Sequence, residues 1–240
     1  MLKIGVVTGA SDGIGEGIAS RLDQDGWRVF NLDRSKPKNK ANPARWIETD
    51  LRDPTAIATA FDLIRNEGPV TGLVNNAGLG IMTELENTTI EDFDVTVDVN
   101  MKAPILCAQA ALEDMKEVGF GRIVNISSRA MLGKTHRTAY AGTKGAISAM
   151  TRVWALELAH HGITVNAIAP GPIATELFTK ANPPTMARTQ EIIGTIPAGR
   201  LGTPADIAHS VSFFMDERTD FINGQVLFVC GGISLVRGGS

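Results

Sequence analysis

Short apolar runs alternate along the chain with segments whose apolar positions recur every three or four residues. A short run rich in valine and isoleucine is typical of a buried strand, and the longer spacing is typical of a helix. The predicted strands are 3–8, 27–32, 45–49, 72–76, 121–127, 163–168 and 224–229. The predicted helices are 14–25, 54–66, 101–117, 141–160 and 204–215. This alternation predicts an α/β fold, a doubly wound parallel sheet with helices on both faces.

Two segments interrupt the pattern. Residues 34–44 form a polar stretch that predicts a loop, and the prolines of residues 170–190 predict a mobile segment. Neither is typical of an interdomain linker, because the same pattern resumes after each. A chain of 240 residues is also within the usual size of one α/β domain. We therefore expect residues 1–240 to form a single domain.

Charge and composition exclude several classes of function. A net charge of −3 provides no basic surface for nucleic acid or for an anionic membrane. No apolar run reaches the roughly 18 residues needed to span a bilayer, and the N-terminus lacks a signal-peptide pattern. Cys107 and Cys230 lie in apolar contexts and need not pair, which favours a reducing compartment. We expect a cytoplasmic protein without a metal site, because no histidine or cysteine spacing is typical of one.

A glycine-rich stretch, "VVTGASDGIGEGIA" (6–19), joins the first predicted strand to the first predicted helix. Gly9, Gly13 and Gly15 allow a tight turn and a close approach of the backbone to a pyrophosphate at the helix N-terminus. Asp33 ends the second strand, where an acidic side chain accepts hydrogen bonds from the adenosine ribose of NAD. A glycine-rich turn alone is a weak signal, but its position in the first strand–turn–helix unit favours dinucleotide binding.

Further motifs follow in order along the chain. They are "TGASDGIG" (8–15), "NNAG" (75–78), "DVNMKAP" (98–104), "IVNISS" (123–128), "YAGTK" (140–144), "NAIAPGPIATEL" (166–177), "GRLGTPADIA" (199–208) and "GQVLFVCGG" (224–232). Together they resemble the short-chain dehydrogenase/reductase family over essentially the whole chain. The resemblance implies a Rossmann-type fold, a nicotinamide cofactor and a homotetramer or homodimer.

The resemblance also implies a catalytic tetrad of Asn100, Ser128, Tyr140 and Lys144. Ser127 is an alternative to Ser128, and strand alternation points the two side chains to opposite faces. We prefer Ser128, the second serine of "ISS", although its interval to Tyr140 is one residue shorter than is common. By resemblance, Lys144 also bonds the nicotinamide ribose, and Asn100 holds a water that continues a proton relay.

The spacing of Tyr140 and Lys144 has a physical reason. A free tyrosine has a pKa of roughly 10, which makes it a poor base near neutral pH. A lysine ammonium close to a phenol favours the phenolate, and residues four apart share one face of a helix. Tyr140 is therefore the predicted general acid/base, and Ser128 is expected to hold the substrate oxygen against it.

The resemblance assigns the cofactor contacts to residues from several motifs. They are Gly9, Ser11, Asp12, Gly13, Ile14, Gly15, Asp33, Arg34, Asp50, Leu51, Asn76, Ala77, Gly78, Tyr140, Lys144, Pro170, Gly171, Ile173 and Thr175. Asp33 would repel the 2′-phosphate of NADP, so we expect NAD(H) to be preferred. Arg34 can pair with that phosphate or lie over the adenine, so NADP(H) stays possible.

The predicted function is NAD(P)-dependent interconversion of a secondary alcohol and a ketone by hydride transfer. An NADPH-dependent 3-oxoacyl-thioester reductase of the acyl-carrier-protein type shares nearly all the motifs and is the alternative. A non-catalytic sensor of nicotinamide redox state is disfavoured, because a sensor does not need the tetrad. A serine hydrolase is disfavoured as well, because G-x-S-x-G is absent.

Substrate selection is expected from three variable segments, 79–82, 129–137 and 173–195. Arg129, His136 and Arg137 lie in the second of these and favour an anionic group on the substrate. The same side chains can equally face solvent or a neighbouring subunit, so both interpretations stay open. The helix within 139–159 is apolar around much of its circumference, which predicts burial on more than one side and hence oligomerisation.

Overall fold

The computed structural model describes residues 3–183 and 185–236 and contains one seven-stranded parallel sheet. The strands are β1 Lys3–Thr8, β2 Trp27–Asp33, β3 Arg45–Glu48, β4 Val70–Asn75, β5 Gly121–Ile126, β6 Ile163–Pro170 and β7 Val226–Val229. Their order across the sheet is β3-β2-β1-β4-β5-β6-β7. Each strand overlaps one of the predicted segments, and the predicted doubly wound, Rossmann-type parallel sheet is confirmed.

Eight α-helices connect and cover the strands in the described ranges. They are α1 Gly13–Gln24, α2 Pro54–Arg65, α3 Ile90–Val97, α4 Ala103–Val118, α5 Thr138–Leu158, α6 Glu176–Ala181, α7 Ala187–Gly194 and α8 Pro204–Met215. Five of them correspond to predicted helices, and α3 was not predicted. None of these helices has the length and apolar character needed to cross a bilayer.

Helices α6 and α7 lie in the segment that the prolines marked as irregular. The described prolines of this segment lie outside both helices, and the Thr175 side chain caps the start of α6 by accepting from Phe178 N. Six and eight residues are too few to give a clear helical periodicity, which explains why the sequence pattern missed them. Pro184 of this segment lies outside the described residues.

Successive side chains along the central strands enter opposite layers of the core. Ile4, Leu73 and Ile123 pack in the layer that contains α2, α4 and α5. Val74 and Val124 pack in the opposite layer, which contains α1 and α8. Burial on both faces is the reason that these strands have nearly continuous apolar sequences.

The chain changes direction across the sheet between β1 and β4, which are neighbours. In a sheet of this kind, the loops after the two central strands separate and leave a crevice at the carboxyl edge. All strand pairs are parallel, so the loops after β1, β2, β4, β5 and β6 all reach this edge. The predicted motifs follow these strands and therefore converge there.

Candidate active site

A cavity of about 1070 Å³ lies at the carboxyl edge of the sheet. Its wall contains every residue that the sequence assigned to the cofactor, and it also contains Ser128, Tyr140 and Lys144. Among the predicted catalytic and cofactor-binding residues, Asn100 is the one that does not line it. The fold therefore brings motifs from widely separated parts of the chain to one place.

The glycine loop at one end of the cavity is held closely against the end of β4. Gly9 and Gly13 have φ values of 66° and 57°, which favour glycine. A Cβ atom on Gly15 would overlap the carbonyl oxygen of Gly9, so the turn requires a glycine there too. The Asn76 amide donates to the carbonyls of Thr8 at 2.9 Å and Gly9 at 3.0 Å. The "NNAG" motif thus fixes the shape of the glycine loop.

Helix α1 begins at Gly13 with its first N–H groups at the cavity. Asp12 occupies the N-cap position but makes no side-chain cap hydrogen bond. The first N–H groups of a helix have no partner within the helix and attract anions. Together with the absence of side chains on the loop glycines, this donor set fits the pyrophosphate of a dinucleotide.

The Asp33 carboxylate lies at the end of β2 with both oxygens fixed by the backbone. It accepts from Ser11 N at 3.3 Å and from Ser35 N at 2.9 Å. Burial, followed by the charges of Asp33 and Glu176, raises the pKa of the neighbouring Asp12. This end of the cavity is therefore acidic, with a carboxylate in a fixed orientation.

Arg34 and Asp50 lie in the same part of the wall. The side chain of Asp50 accepts from Arg52 Nη2 at 2.7 Å. This hydrogen bond lowers the pKa of Asp50 to about 2, and the charge of Arg34 adds a smaller contribution in the same direction. Arg34 is thus close enough to Asp50 to influence its ionisation.

The two adjacent serines after β5 have different environments. Ser127 is 2% exposed, and its Oγ donates to Lys144 O at 2.8 Å and lies 2.7 Å from Ser148 Oγ. Ser128 Oγ accepts from Ala130 N at 3.1 Å, which leaves its hydroxyl hydrogen available. The hydroxyl of Ser127 is used inside the fold, and the geometry favours Ser128 as the one that meets substrate.

Tyr140 and Lys144 lie one turn apart on α5. The Lys144 ammonium nitrogen is 5.8 Å from the centroid of the Tyr140 ring and donates to Ile126 O at 2.7 Å. Burial lowers the pKa of Lys144 to about 8. A buried positive charge at this place stabilises negative charge that develops on the phenol oxygen.

Asn100 lies behind the wall, in a π-helical segment, Asp98–Lys102, that joins α3 to α4. Its side chain accepts from Leu79 N at 2.8 Å and donates to Leu79 O at 2.9 Å and Thr143 Oγ1 at 3.0 Å. Thr143 Oγ1 in turn donates to Tyr140 O at 2.9 Å. The Asn100 amide is therefore a positioning group that connects the loop after β4 to the helix that carries Tyr140.

Two buried polar residues, Thr8 and Asn31, support the glycine loop from outside the cavity wall and were not among the predicted site residues. Thr8 Oγ1 accepts from Asn76 N and Ala77 N, both at 3.0 Å. Asn31 accepts from Ala10 N at 2.8 Å and donates to Ser11 Oγ at 2.9 Å. Asn31 is a polar residue within an otherwise apolar strand, and that signal could have identified it.

Comparisons with known proteins give consistent results. A family model described as Enoyl-(Acyl carrier protein) reductase matches residues 9–234. The (2S)-[(R)-hydroxy(phenyl)methyl]succinyl-CoA dehydrogenase subunit BbsD of Thauera aromatica is 36% identical, over 98% of each chain. The 3-oxoacyl-[acyl-carrier-protein] reductase of Rickettsia prowazekii (strain Madrid E) is 32% identical, also over 98% of each. The crystal structure of a blue fluorescent protein from a metagenomic library in complex with NADPH is 35% identical, with a TM-score of 0.86 over 96% of this chain and 97% of that one.

The two serines lead to a testable distinction. We expect Ser128→Ala to lower kcat/KM by about 10²–10³, as for loss of one donor to a reacting oxygen. We expect Ser127→Ala to leave kcat/KM within a few-fold and to lower the free energy of unfolding by about 1 kcal/mol, because a buried hydrogen bond is lost. Steady-state kinetics and urea unfolding of both variants measure this. The reverse pattern would assign the catalytic role to Ser127.

Proposed function

The chain belongs to the short-chain dehydrogenase/reductase family and is an oxidoreductase, and on this premise we propose that it interconverts a secondary alcohol and a ketone with Tyr140 as general acid/base. The observation that carries the proposal is the placement of Ser128, Tyr140 and Lys144 in the wall of one cavity that also contains the glycine loop. We further propose that residues 1–240 act as one catalytic domain.

A bound nicotinamide supplies or accepts the hydride in such a reaction. The Ser128 hydroxyl donates a hydrogen bond to the substrate oxygen and holds it near Tyr140. The Tyr140 phenol gives its proton to that oxygen in reduction, and the Tyr140 phenolate takes the proton from the alcohol in oxidation. The Lys144 ammonium stabilises the resulting phenolate. Asn100 keeps the loop after β4 and helix α5 in register.

A second candidate is the reduction of a 3-oxoacyl thioester. It is favoured by two similar proteins, one a 3-oxoacyl-[acyl-carrier-protein] reductase and the other a (2S)-[(R)-hydroxy(phenyl)methyl]succinyl-CoA dehydrogenase subunit. The same four residues would serve this reaction, because a 3-oxoacyl group presents a ketone. A panel containing simple ketones and 3-oxoacyl thioesters separates the two candidates.

We also propose that NAD(H) is the preferred cofactor. The support is the fixed orientation of the Asp33 carboxylate, which still has one lone pair on each oxygen for a ribose hydroxyl. The relative in complex with NADPH shows that NADP(H) occurs among similar structures. The cytoplasmic location expected from the cysteine usage stays a prediction.

We also propose that the protein forms a homo-oligomer. Helix α5 presents Val153, 51% exposed, and Leu156, 83% exposed, on its outer face. Gly142 and Ala149 are exposed on the same helix, and their small size allows close approach of another helix. We propose that this face packs against a second copy of the chain, in a homodimer or homotetramer.

The first prediction tests the reaction itself. We expect Tyr140→Phe to lower kcat by about 10²–10⁴, because only the proton donor is lost. Fluorescence titration of the reduced cofactor is expected to give a dissociation constant close to that of the unchanged protein. Activity within a factor of a few would contradict the proposal, and absence of turnover in the unchanged protein on the whole panel would favour the sensor.

The second prediction concerns the cofactor. We expect the unchanged protein to have a higher kcat/KM with NAD(H) than with NADP(H). Asp33→Asn keeps an oxygen acceptor for the backbone but removes the charge, so we expect the ratio to shift toward NADP(H) by about tenfold or more. Asp53→Asn, at the N-cap of α2 and outside the cavity wall, is the control. A wild-type preference for NADP(H) would refute the role given to Asp33.

The third prediction concerns assembly. Sedimentation at micromolar concentration is expected to show a species of two or four times 25.5 kDa. Leu156→Glu places a charge on the proposed contact and is expected to shift the protein toward 25.5 kDa. Leu63→Glu, at an exposed apolar position on α2, is the matched control. A 25.5 kDa species alone in the unchanged protein would contradict the proposal.

A further inference from the structure

Besides Lys144, four cationic side chains line the cavity on the side of Tyr140. Arg129, Lys134 and Arg137 come from the segment between Ser128 and α5, and Arg188 comes from α7. The sequence singled out only two of them, because Lys134 has no motif and Arg188 is distant along the chain. We call these four side chains the cation cluster.

Within residues 3–183 and 185–236, no member of the cation cluster has a carboxylate at ion-pair distance. Other arginines of the same ranges do have one, such as Arg28 with Glu67, Arg200 with Asp206 and Arg218 with Asp216. Lys134 and Arg188 are exposed, and Arg129 and Arg137 are half-buried, so water hydrates these charges and they stay available to a ligand. The cation cluster is therefore a set of charges without an internal counterion.

His136 does not belong to the cation cluster. Its ring nitrogen Nδ1 lies 3.6 Å from the carboxylate of Glu84, and the residue is outside the cavity wall. The sequence grouped His136 with Arg129 and Arg137 because the three are close along the chain. The structure separates it from them.

The cation cluster lies next to the proposed acid/base. The guanidinium carbon of Arg137 is 5.6 Å from the centroid of the Tyr140 ring. A Cβ atom on Gly80 would be 3.1 Å from Arg137 Nη1 and 3.3 Å from Tyr140 Cδ2, so both side chains border the same glycine. An anion held by Arg137 would thus lie near the Tyr140 ring and near the substrate oxygen that Tyr140 is proposed to protonate.

The four charges are close enough to affect one another. Burial lowers the pKa of Lys134 first, and the charges of Arg137, Arg129 and Arg188 lower it further. Glu191 and Glu176 also line the cavity, but Glu176 is paired with Lys180 at 2.5 Å. The substrate side of the cavity is therefore positively charged on balance.

The pyrophosphate of the cofactor does not account for this charge. The donors that fit a pyrophosphate are the N–H groups at the start of α1, beside the acidic Asp12 and Asp33. The cation cluster instead follows β5 and includes α7, on the side of the residues proposed to hold the substrate. The cation cluster is therefore open to an anion other than the pyrophosphate.

We propose that the cation cluster binds an anionic group of the carbonyl substrate, a carboxylate or a phosphate. The proposal rests on the proposed function and specifies the substrate class of the same site. Planar guanidinium groups can bind either oxyanion with two parallel hydrogen bonds, and Lys134 adds a point charge. Arg137 is placed for an anion near the ketone, and the other three extend the positive surface along the wall.

Matched substrates test the proposal and separate the two sources of the anion. The first pair is 4-oxopentanoate and its methyl ester, which differ in a carboxylate charge. The second pair is acetoacetyl-4′-phosphopantetheine and acetoacetyl-pantetheine, which differ in one phosphate. We expect the charged member of one pair to have a kcat/KM at least about tenfold higher, and the pair that shows it identifies a carboxylate or a phosphate.

The variants Arg129→Met, Lys134→Met, Arg137→Met and Arg188→Met keep much of the side-chain volume and remove the charge. We expect at least two of them to reduce the ratio of kcat/KM for the charged substrate to kcat/KM for its neutral partner about fivefold or more. Arg152→Met, an exposed cation on α5 outside the cavity wall, is the matched control. Equal kcat/KM for charged and neutral substrates in the unchanged protein would overturn the proposal, and so would a preference that survives all four substitutions.

A binding measurement keeps this test separate from that of the proposed function. Calorimetric titration of the unchanged protein with 4-oxopentanoate and with coenzyme A, each with saturating NAD⁺ present, requires no turnover. Saturable binding that is lost in the cation variants but kept in Tyr140→Phe supports the inference even if no ketone is reduced. No binding of either probe to the unchanged protein overturns the inference, and turnover of the neutral ketones would at the same time leave the proposed function intact.

Discussion

The site depends on the attachment of helix α5 to the end of strand β5. The Lys144 ammonium donates to Ile126 O, and Ser127 Oγ donates to the backbone carbonyl of Lys144 in return. The end of β5 and the Lys144 residue of α5 are thus linked by two hydrogen bonds, one donated from the helix and one donated to it. Because Ser128 follows Ser127 and Tyr140 precedes Lys144 by one turn, these two bonds set the relative positions of the proposed catalytic side chains.

The same attachment explains the burial of Lys144. Lys144 has no ion pair with any carboxylate in residues 3–183 and 185–236, and burial lowers the pKa of its amine to about 8. Desolvation makes its charge more effective toward a neighbouring phenol than a surface ammonium would be. The structure therefore combines two roles in one side chain, since Lys144 both fixes α5 and provides the positive charge beside Tyr140.

Charge is distributed unevenly along the cavity. Asp12 and Asp33 make the glycine-loop end acidic, and the cation cluster makes the Tyr140 end basic. The acidic end bears on the choice between NAD(H) and NADP(H), and the basic end bears on the charge of the substrate. Both proposed selections thus rest on charges at opposite ends of one cavity.

The sequence by itself determined the strands, the five longer helices and the residues that meet at the sheet edge. Buried strands need unbroken apolar runs, and a backbone turn such as that of Gly9 to Gly15 needs glycine, so both leave a local signal. The short helices α6 and α7 were missed because six or eight residues carry too little periodicity.

Only the tertiary structure decided features that depend on contacts between distant segments. It placed the Asn100 amide behind the cavity wall, gave Ser127 a partner on α5, and brought Arg188 to the same surface as Arg129. It also placed His136 outside the cavity wall, with its Nδ1 atom 3.6 Å from the carboxylate of Glu84, although Arg129 and Arg137 line the wall. Hydrogen-bond partners and counterions come from residues far apart along the chain, so local pattern and spacing cannot assign them.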